Sequence, residues 1–277
     1  MCRWLAYSGS PLLLERMLLE PEHSLIDQSL NARLGAHATN GDGFGVGWYG
    51  EGQMPALYRT TRPAWNDPNL AELSRQIRSE MVFAHVRAST GTAVQQTNCH
   101  PFRYGKWLWM HNGAISDFQK VKRELVLAVA PDLYPEIEGS TDSELFFYLA
   151  LTFGLERNPP AAVARAVGFI EQVGQGHAIA HPLQMTVAVG DGRALWAFRY
   201  ASSGRSRTLF YSSDPATLRW RYPQNPIFRE IDDRTKLVVS EPLGSTRGVW
   251  NELPNAHSCT VRNGGIEISA FKPAASI

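Results

Sequence analysis

Strand signals crowd both ends of this chain and helical signals fill its middle, an order that favours sheets covered by helices, a layered α+β fold. Cys2–Ser8 reads as a strand at the start, Pro11–Leu19 as a short helix, and residues 24–39 as a polar loop with some helix. Gly43–Tyr49 is a strand with glycines alternating on one face, and Ala56–Arg59 returns beside it. Leu70–Glu80 reads as a helix, and Met81–Val86 and Trp107–Met110 as apolar strands. Ser116–Gln119 and Thr141–Glu144 both fit capping boxes. The first opens an amphipathic run with Phe118, Val121, Leu125 and Val129 on one face; the second opens an apolar helix through Leu151. A third helix spans Pro160–Val173. Beyond Gln184 the pattern turns to strands: Met185–Val189, Ala194–Tyr200, Thr208–Ser212, Leu237–Ser240, Ser258–Arg262 and Ile266–Phe271, the last two joined by an Asn263-Gly264 hairpin turn.

No repeat or low-complexity linker divides the 277 residues, so one domain is expected over 1–277. Net charge is +1, which favours neither a nucleic-acid nor a membrane-surface partner. No segment approaches the ~20 apolar residues of a membrane span, and the start lacks the pattern of a secretory signal. The three cysteines, Cys2, Cys99 and Cys259, are too sparse for a disulfide framework, and a reducing, cytoplasmic setting is expected.

Cys2 stands directly behind the start methionine. With Met1 removed, one residue offers both a thiol nucleophile and an α-amine base, whose ordinary pKa values lie close together. Other residues suit the same acyl-transfer chemistry. Arg87 follows a strand, a rigid place from which a guanidinium can hold a carboxylate through two hydrogen bonds, with Thr90 three residues on. His111-Asn112-Gly113 follows an apolar strand, and an Asn amide with a Gly N–H can form an oxyanion hole. Asp142 begins a helix, where a carboxylate can meet a substrate ammonium. Each has a plainer reading when taken singly: a surface salt bridge for Arg87, a turn for Asn112-Gly113, a helix cap for Asp142. Gly45–Gly50 matches the letters of a dinucleotide loop but lies inside a strand with no helix after it. His37, His85, Cys99, His100 and His111 lack metal-ligand spacing, so no metal or other cofactor is expected.

Taken in order, Met1-Cys2-Arg3, Asn40–Gly45, Ala84–Thr90, Asn98–Phe102, His111-Asn112-Gly113 and Ser140–Glu144 resemble the class II, N-terminal-nucleophile glutamine amidotransferases. Ser24–Ser29, Asp42–Tyr49 and Ser240–Leu243 look like the stand-alone subgroup that includes the γ-glutamyl amidohydrolase of ergothioneine biosynthesis. The resemblance implies a four-layer αββα fold, with two antiparallel sheets packed between helical layers and Cys2 on an inner strand.

The resemblance also implies roles. Cys2 would attack the γ-carbonyl of glutamine or another γ-glutamyl amide and form a thioester, with its α-amine moving the proton. Asn112 and Gly113 would hold the oxyanion. Arg87, helped by Thr90, would bind the α-carboxylate and Asp142 the α-ammonium, while His85, His100 and His111 would support the site. The larger synthases carry Trp-Ala-Thr-His after the arginine, where this chain has Ala88-Ser89-Thr90-Gly91, so a preference for glutamine does not carry over. An ammonia-using domain is not expected within these 277 residues. The expected partner is a small γ-glutamyl substrate. A homo-oligomer, a separate ammonia-accepting synthase fed by this chain, and a catalytically silent binding or regulatory module stay open as alternatives.

Overall fold

The computed structural model describes residues 2–34, 39–89, 91–225, 228–229 and 231–275. In chain order the strands are β1 (Arg3–Leu13), β2 (Phe44–Trp48), β3 (Ala56–Thr60), β4 (Arg78–Val86), β5 (Phe102–Tyr104), β6 (Trp107–Ile115), β7 (Leu183–Gly190), β8 (Leu195–Ala201), β9 (Phe210–Ser212), β10 (Lys236–Val239), β11 (Trp250–Glu252), β12 (His257–Arg262) and β13 (Gly265–Ala270). The helices are α1 (Glu15–Leu18), α2 (Leu25–Asn31), α3 (Pro68–Ser74), α4 (Phe118–Leu127), α5 (Asp142–Thr152), α6 (Pro159–Gly176) and α7 (Pro215–Arg221). One sheet runs β11-β9-β10-β1-β4-β2-β3 and the other β13-β12-β8-β7-β6-β5. The strand pairs in both are antiparallel. No helix among the described residues is long and apolar enough to cross a membrane.

Side chains alternate across a strand, so each strand near the centre of a sheet serves two cores at once. In β1, Trp4 and Ala6 join Met81 and Phe83 of β4 and Leu108 and Met110 of β6 in the apolar layer between the sheets. The intervening Leu5 and Tyr7 pack outward with Met17, Leu18, Leu25 and Leu70 from α1, α2 and α3. On the other sheet, Trp107 and Trp109 face outward into a large core with Val121, Leu125, Phe146, Phe147, Ala166 and Ile170 from α4, α5 and α6. Burial of these faces against helices and against each other makes the αββα layering. Gly45 and Gly47 alternate in β2 because a Cβ on either would strike the second sheet's approach, at the His100 carbonyl and at Leu108 and Pro101.

Several boundaries depart from the sequence reading. Strand β1 continues to Leu13, through a register shift between Ser8 and Leu12, so the expected helix over Pro11–Leu19 shrinks to α1. Pairing of Leu12 and Leu13 with Ser79 and Arg78 outweighs the helix-start signal of Pro11. The expected helix over Leu70–Glu80 starts earlier and yields to β4 at Arg78. Within residues 24–39 lies α2, capped by Ser24, whose side chain accepts from Asp27 N–H. The Ser116–Gln119 capping box does not form: Asp117 caps α4 in a left-handed conformation, and Ser116 Oγ donates to the His181 carbonyl. At the Thr141–Glu144 box, Thr141 Oγ1 accepts from Glu144 N–H, while the Glu144 carboxylate turns to the N–H groups of Glu138 and Gly139. The Asn263-Gly264 turn has both residues at positive φ, as its hairpin requires. β5, β11 and α7 carried no sequence signal strong enough to name them.

Candidate active site

Alternation extends past the end of β1. Cys2 has the parity of Trp4 and Ala6, His85 that of Met81 and Phe83, and Asn112 that of Leu108 and Met110. All three belong to the inward rows, at one end of the sandwich. His111-Asn112-Gly113 therefore is not a turn after a strand. It lies within β6, opposite Val187, Thr186 and Met185 of β7, and β6 continues to Ile115.

Asn112 joins the two sheets. Its Nδ2 donates to the Cys2 carbonyl oxygen at 2.8 Å, which leaves Oδ1 facing His85 Nε2 at 3.1 Å. His85 thus donates from Nε2 and holds the amide in the orientation that presents nitrogen to Cys2. The Cys2 carbonyl also accepts from Arg3 Nη1 at 3.0 Å. The thiol is half-buried against Ala88, where Sγ accepts from the backbone N–H at 3.3 Å and lies 3.4 Å from the carbonyl oxygen.

Cys2 opens into a cleft of about 420 Å³ that is also lined by Arg87, His111, Gly113, Asp142 and Arg207. Arg87 follows β4 and is only 3% exposed. Its Nη2 donates to Thr92 Oγ1 at 2.7 Å, the Ala93 carbonyl at 3.2 Å and Ser89 Oγ at 3.3 Å, and its Nη1 to the Asp42 carbonyl at 3.4 Å. These acceptors are all neutral. The nearby Asp42 carboxylate is occupied by Ser89 N–H at 2.7 Å, and no carboxylate lies within 4 Å of the Arg87 guanidinium among the described residues. Asp142 starts α5; its Oδ2 accepts from Ile115 N–H at 2.8 Å and its Oδ1 from Ser143 Oγ at 3.3 Å.

Three histidines pack beneath the cleft. His85 and His100 pack in a tilted pair with ring centroids 4.2 Å apart, and His100 also packs on Phe102. His111 Nδ1 meets Ser143 Oγ at 2.8 Å. Burial is the chief cause that pushes all three toward the neutral form. His85 falls to about 3, where the Asn112 contact opposes the shift and the Arg87 charge adds to it. His111 falls to about 4, with Asp142 and the Gln184 carbonyl opposing. His100 lies well below its ordinary value. They are neutral packing and orienting groups at neutral pH.

Sequence reasoning missed a buried ionic cluster behind Cys2. Glu241 takes Arg3 Nε at 2.6 Å, His23 Nε2 at 2.6 Å and the N–H groups of Arg33 and Leu34 at 2.7 and 3.0 Å. Burial alone would raise its pKa; these four donors outweigh it and hold the carboxyl below its ordinary range. Arg3 then links this carboxylate to the Cys2 carbonyl. Arg3 and Ser240–Leu243 were visible only as parts of motifs. Arg207 had no signal at all, since nothing in the polar run Ser202–Thr208 separates it from Arg205. Met1, His37 and Thr90 lie outside the described residues.

Residues 17–276 match the family described as glutamine amidotransferases class-II. The chain is similar to the probable glutamine amidotransferase DUG3 of Saccharomyces cerevisiae, 34% identical over 95% of this chain and 82% of that protein. It is 26% identical to the γ-glutamyl-hercynylcysteine sulfoxide hydrolase of Mycolicibacterium smegmatis, over 97% of this chain and 99% of that protein. A solved class-II glutamine aminotransferase domain protein from Silicibacter pomeroyi superposes with a TM-score of 0.75 at 32% identity, covering 99% of this chain and 100% of that one. The matched family, the inward-facing Cys2 and the two helix-covered antiparallel sheets agree: the chain belongs to the class II glutamine amidotransferases, amidohydrolases of the N-terminal-nucleophile type.

Proposed function

We propose that this protein hydrolyses the γ-glutamyl C–N bond of a γ-glutamyl amide, glutamine included, through a thioester on Cys2. The observation that carries the reading is Arg87: a buried guanidinium whose partners among the described residues are all neutral, in the cleft into which Cys2 opens. A buried charge without a counter-charge is costly, and the α-carboxylate of a glutamyl group relieves that cost. Asp142 receives the α-ammonium at the start of α5, and Thr90 assists Arg87.

Once Met1 is removed, the Cys2 α-amine takes the thiol proton as Sγ attacks the γ-carbonyl carbon. The C–N bond then breaks, and the departing amine leaves with that proton. Water then adds to the thioester and gives a proton to the α-amine, the S–C bond breaks, the thiolate regains that proton, and glutamate is released. Each tetrahedral intermediate places negative charge on the former carbonyl oxygen. An Asn amide nitrogen carries two hydrogens; one of Asn112's is spent on the Cys2 carbonyl, and the other serves the oxyanion with Gly113 N–H. The three neutral histidines orient this frame and do not shuttle the proton. The hydrolase named for γ-glutamyl-hercynylcysteine sulfoxide supports a leaving amine larger than ammonia.

The test is a panel of γ-glutamyl amides incubated with Met1-free protein, followed by rapid quenching and peptide mass mapping. Glutamate release with a glutamyl adduct on the peptide bearing Cys2 is expected. An adduct on Cys99 or Cys259 alone, or no glutamate from any amide, overturns the reading.

A further inference from the structure

The geometry points to Arg207 as a second carboxylate-binding point on the leaving side of the scissile bond, which selects γ-glutamyl amino acids or peptides. This inference rests on the γ-glutamyl hydrolase reading above. Arg207 stands in the segment between β8 and β9, is half-buried and lines the same cleft as Cys2. Its Nε donates to Gln184 Oε1 at 2.9 Å. Its two Nη groups have no protein acceptor, and no carboxylate lies within 4 Å of it, among the described residues. Burial, with a smaller contribution from Arg3, lowers its pKa, while Cys2 and Asp142 oppose the shift; the guanidinium shares their cleft and is paired with neither among the described residues.

Position separates Arg207 from Arg87. Arg87 extends from β4 in one sheet, whereas Arg207 is tethered to Gln184 of β7 in the other. Gln184 faces Ala114 in register, beside Gly113, so the two guanidinium groups enter the one cleft from different sheets. Charge counting then favours one substrate class. Lys120 and Asp117, also at the cleft, neutralise each other at 2.7 Å. That leaves Arg87, Arg207 and Asp142: two positive charges and one negative. Glutamine offers one carboxylate and one ammonium, which leaves Arg207 without a partner. A γ-glutamyl amino acid offers two carboxylates and one ammonium, and its second carboxylate lies just beyond the scissile nitrogen. A charge-assisted pair of this kind discriminates by about tenfold or more.

The experiment compares kcat/KM for γ-glutamylglycine and γ-glutamylglycinamide, which differ only in the leaving-side carboxylate, with glutamine as reference. The wild-type protein should favour the glycine compound at least about tenfold, and Arg207→Gln should bring that ratio close to one. The ratio is internal to the folded fraction, and the wild-type preference is read without any variant. A wild-type ratio near one overturns the inference, as does a ratio that survives Arg207→Gln. Hydrolysis of glutamine alone also overturns it while the amidohydrolase reading stands. Failure to hydrolyse any of the three removes both.

Discussion

Asn112 holds Cys2 across the gap between the two sheets, its Nδ2 lying 2.8 Å from the Cys2 carbonyl oxygen. The amide thereby ties down the Cys2 backbone through one N–H and leaves the other for the proposed oxyanion contact. His85 Nε2, at 3.1 Å from Asn112 Oδ1, decides which end of the amide faces Cys2. The orientation of the Asn112 amide is thus set by a neutral histidine that never needs to titrate.

Asn112→Ala should lower kcat by about 10²–10³ with a much smaller change in KM, because an oxyanion donor acts in the transition state. Cys2→Ala should abolish turnover altogether. Steady-state kinetics on the best γ-glutamyl amide checks both. A large KM effect with kcat preserved would place Asn112 in ground-state binding instead.

Arg87→Met should reduce kcat/KM by about 10² or more, chiefly through KM, since the α-carboxylate loses a charge-assisted contact. The same change removes a buried charge that has no ionic partner among the described residues, so thermal unfolding should stay within a few degrees of wild type. Kinetics together with calorimetry reads both effects. A collapse in stability would show that the bonds to Thr92 and Ala93 matter more than the charge.

Glu241→Gln should be strongly destabilising, by about 3–5 kcal/mol, because it breaks the buried ion pair with Arg3. Denaturant unfolding measures the loss. Activity should fall as well, since Arg3 also holds the Cys2 carbonyl. The Glu241 carboxyl titrates below its ordinary value, so its contribution is present above the unfolded-state pKa and is lost as pH falls through the folded-state value.

Acid should weaken the fold through the histidines. His85 and His111 have folded-state pKa values of about 3 and about 4, below the ordinary 6.5, and His100 shifts the same way. The unfolded chain binds protons first as pH drops, so their contribution is complete above 6.5 and declines toward those folded-state values. Each buried histidine costs up to about 1.4 kcal/mol per pH unit in that window. His100 is faced by His85, His111, Arg87 and Arg59, and neither ring nitrogen has a hydrogen-bond partner among the described residues. His100→Phe should therefore flatten the decline in melting temperature between pH 6.5 and 4. An unchanged slope would remove His100 from the account.

Much of the site follows from local rules. A two-residue period assigns Cys2, His85 and Asn112 to inward rows once their strands are recognised, and Arg87 at a strand end and Asp142 at a helix start were legible as such. The strand ending at Met110 in the sequence pattern runs on to Ile115, because pairing with β7 overrides the local turn preference of Asn-Gly. The Ser116 capping box failed for a similar reason, as Ser116 Oγ finds a carbonyl 65 residues away.

The amino-acid order alone determined the layered class, the antiparallel hairpins and the family motifs, because these depend on periodicity and short spacings. Only the folded chain decided that Glu241, 238 residues from Arg3, locks the frame behind Cys2, and that Arg207 enters the cleft without an ionic partner among the described residues while Arg205 does not line it. Long-range charge pairing leaves no mark in a local pattern. Its energy depends on burial and distance, which exist only once the two sheets have met.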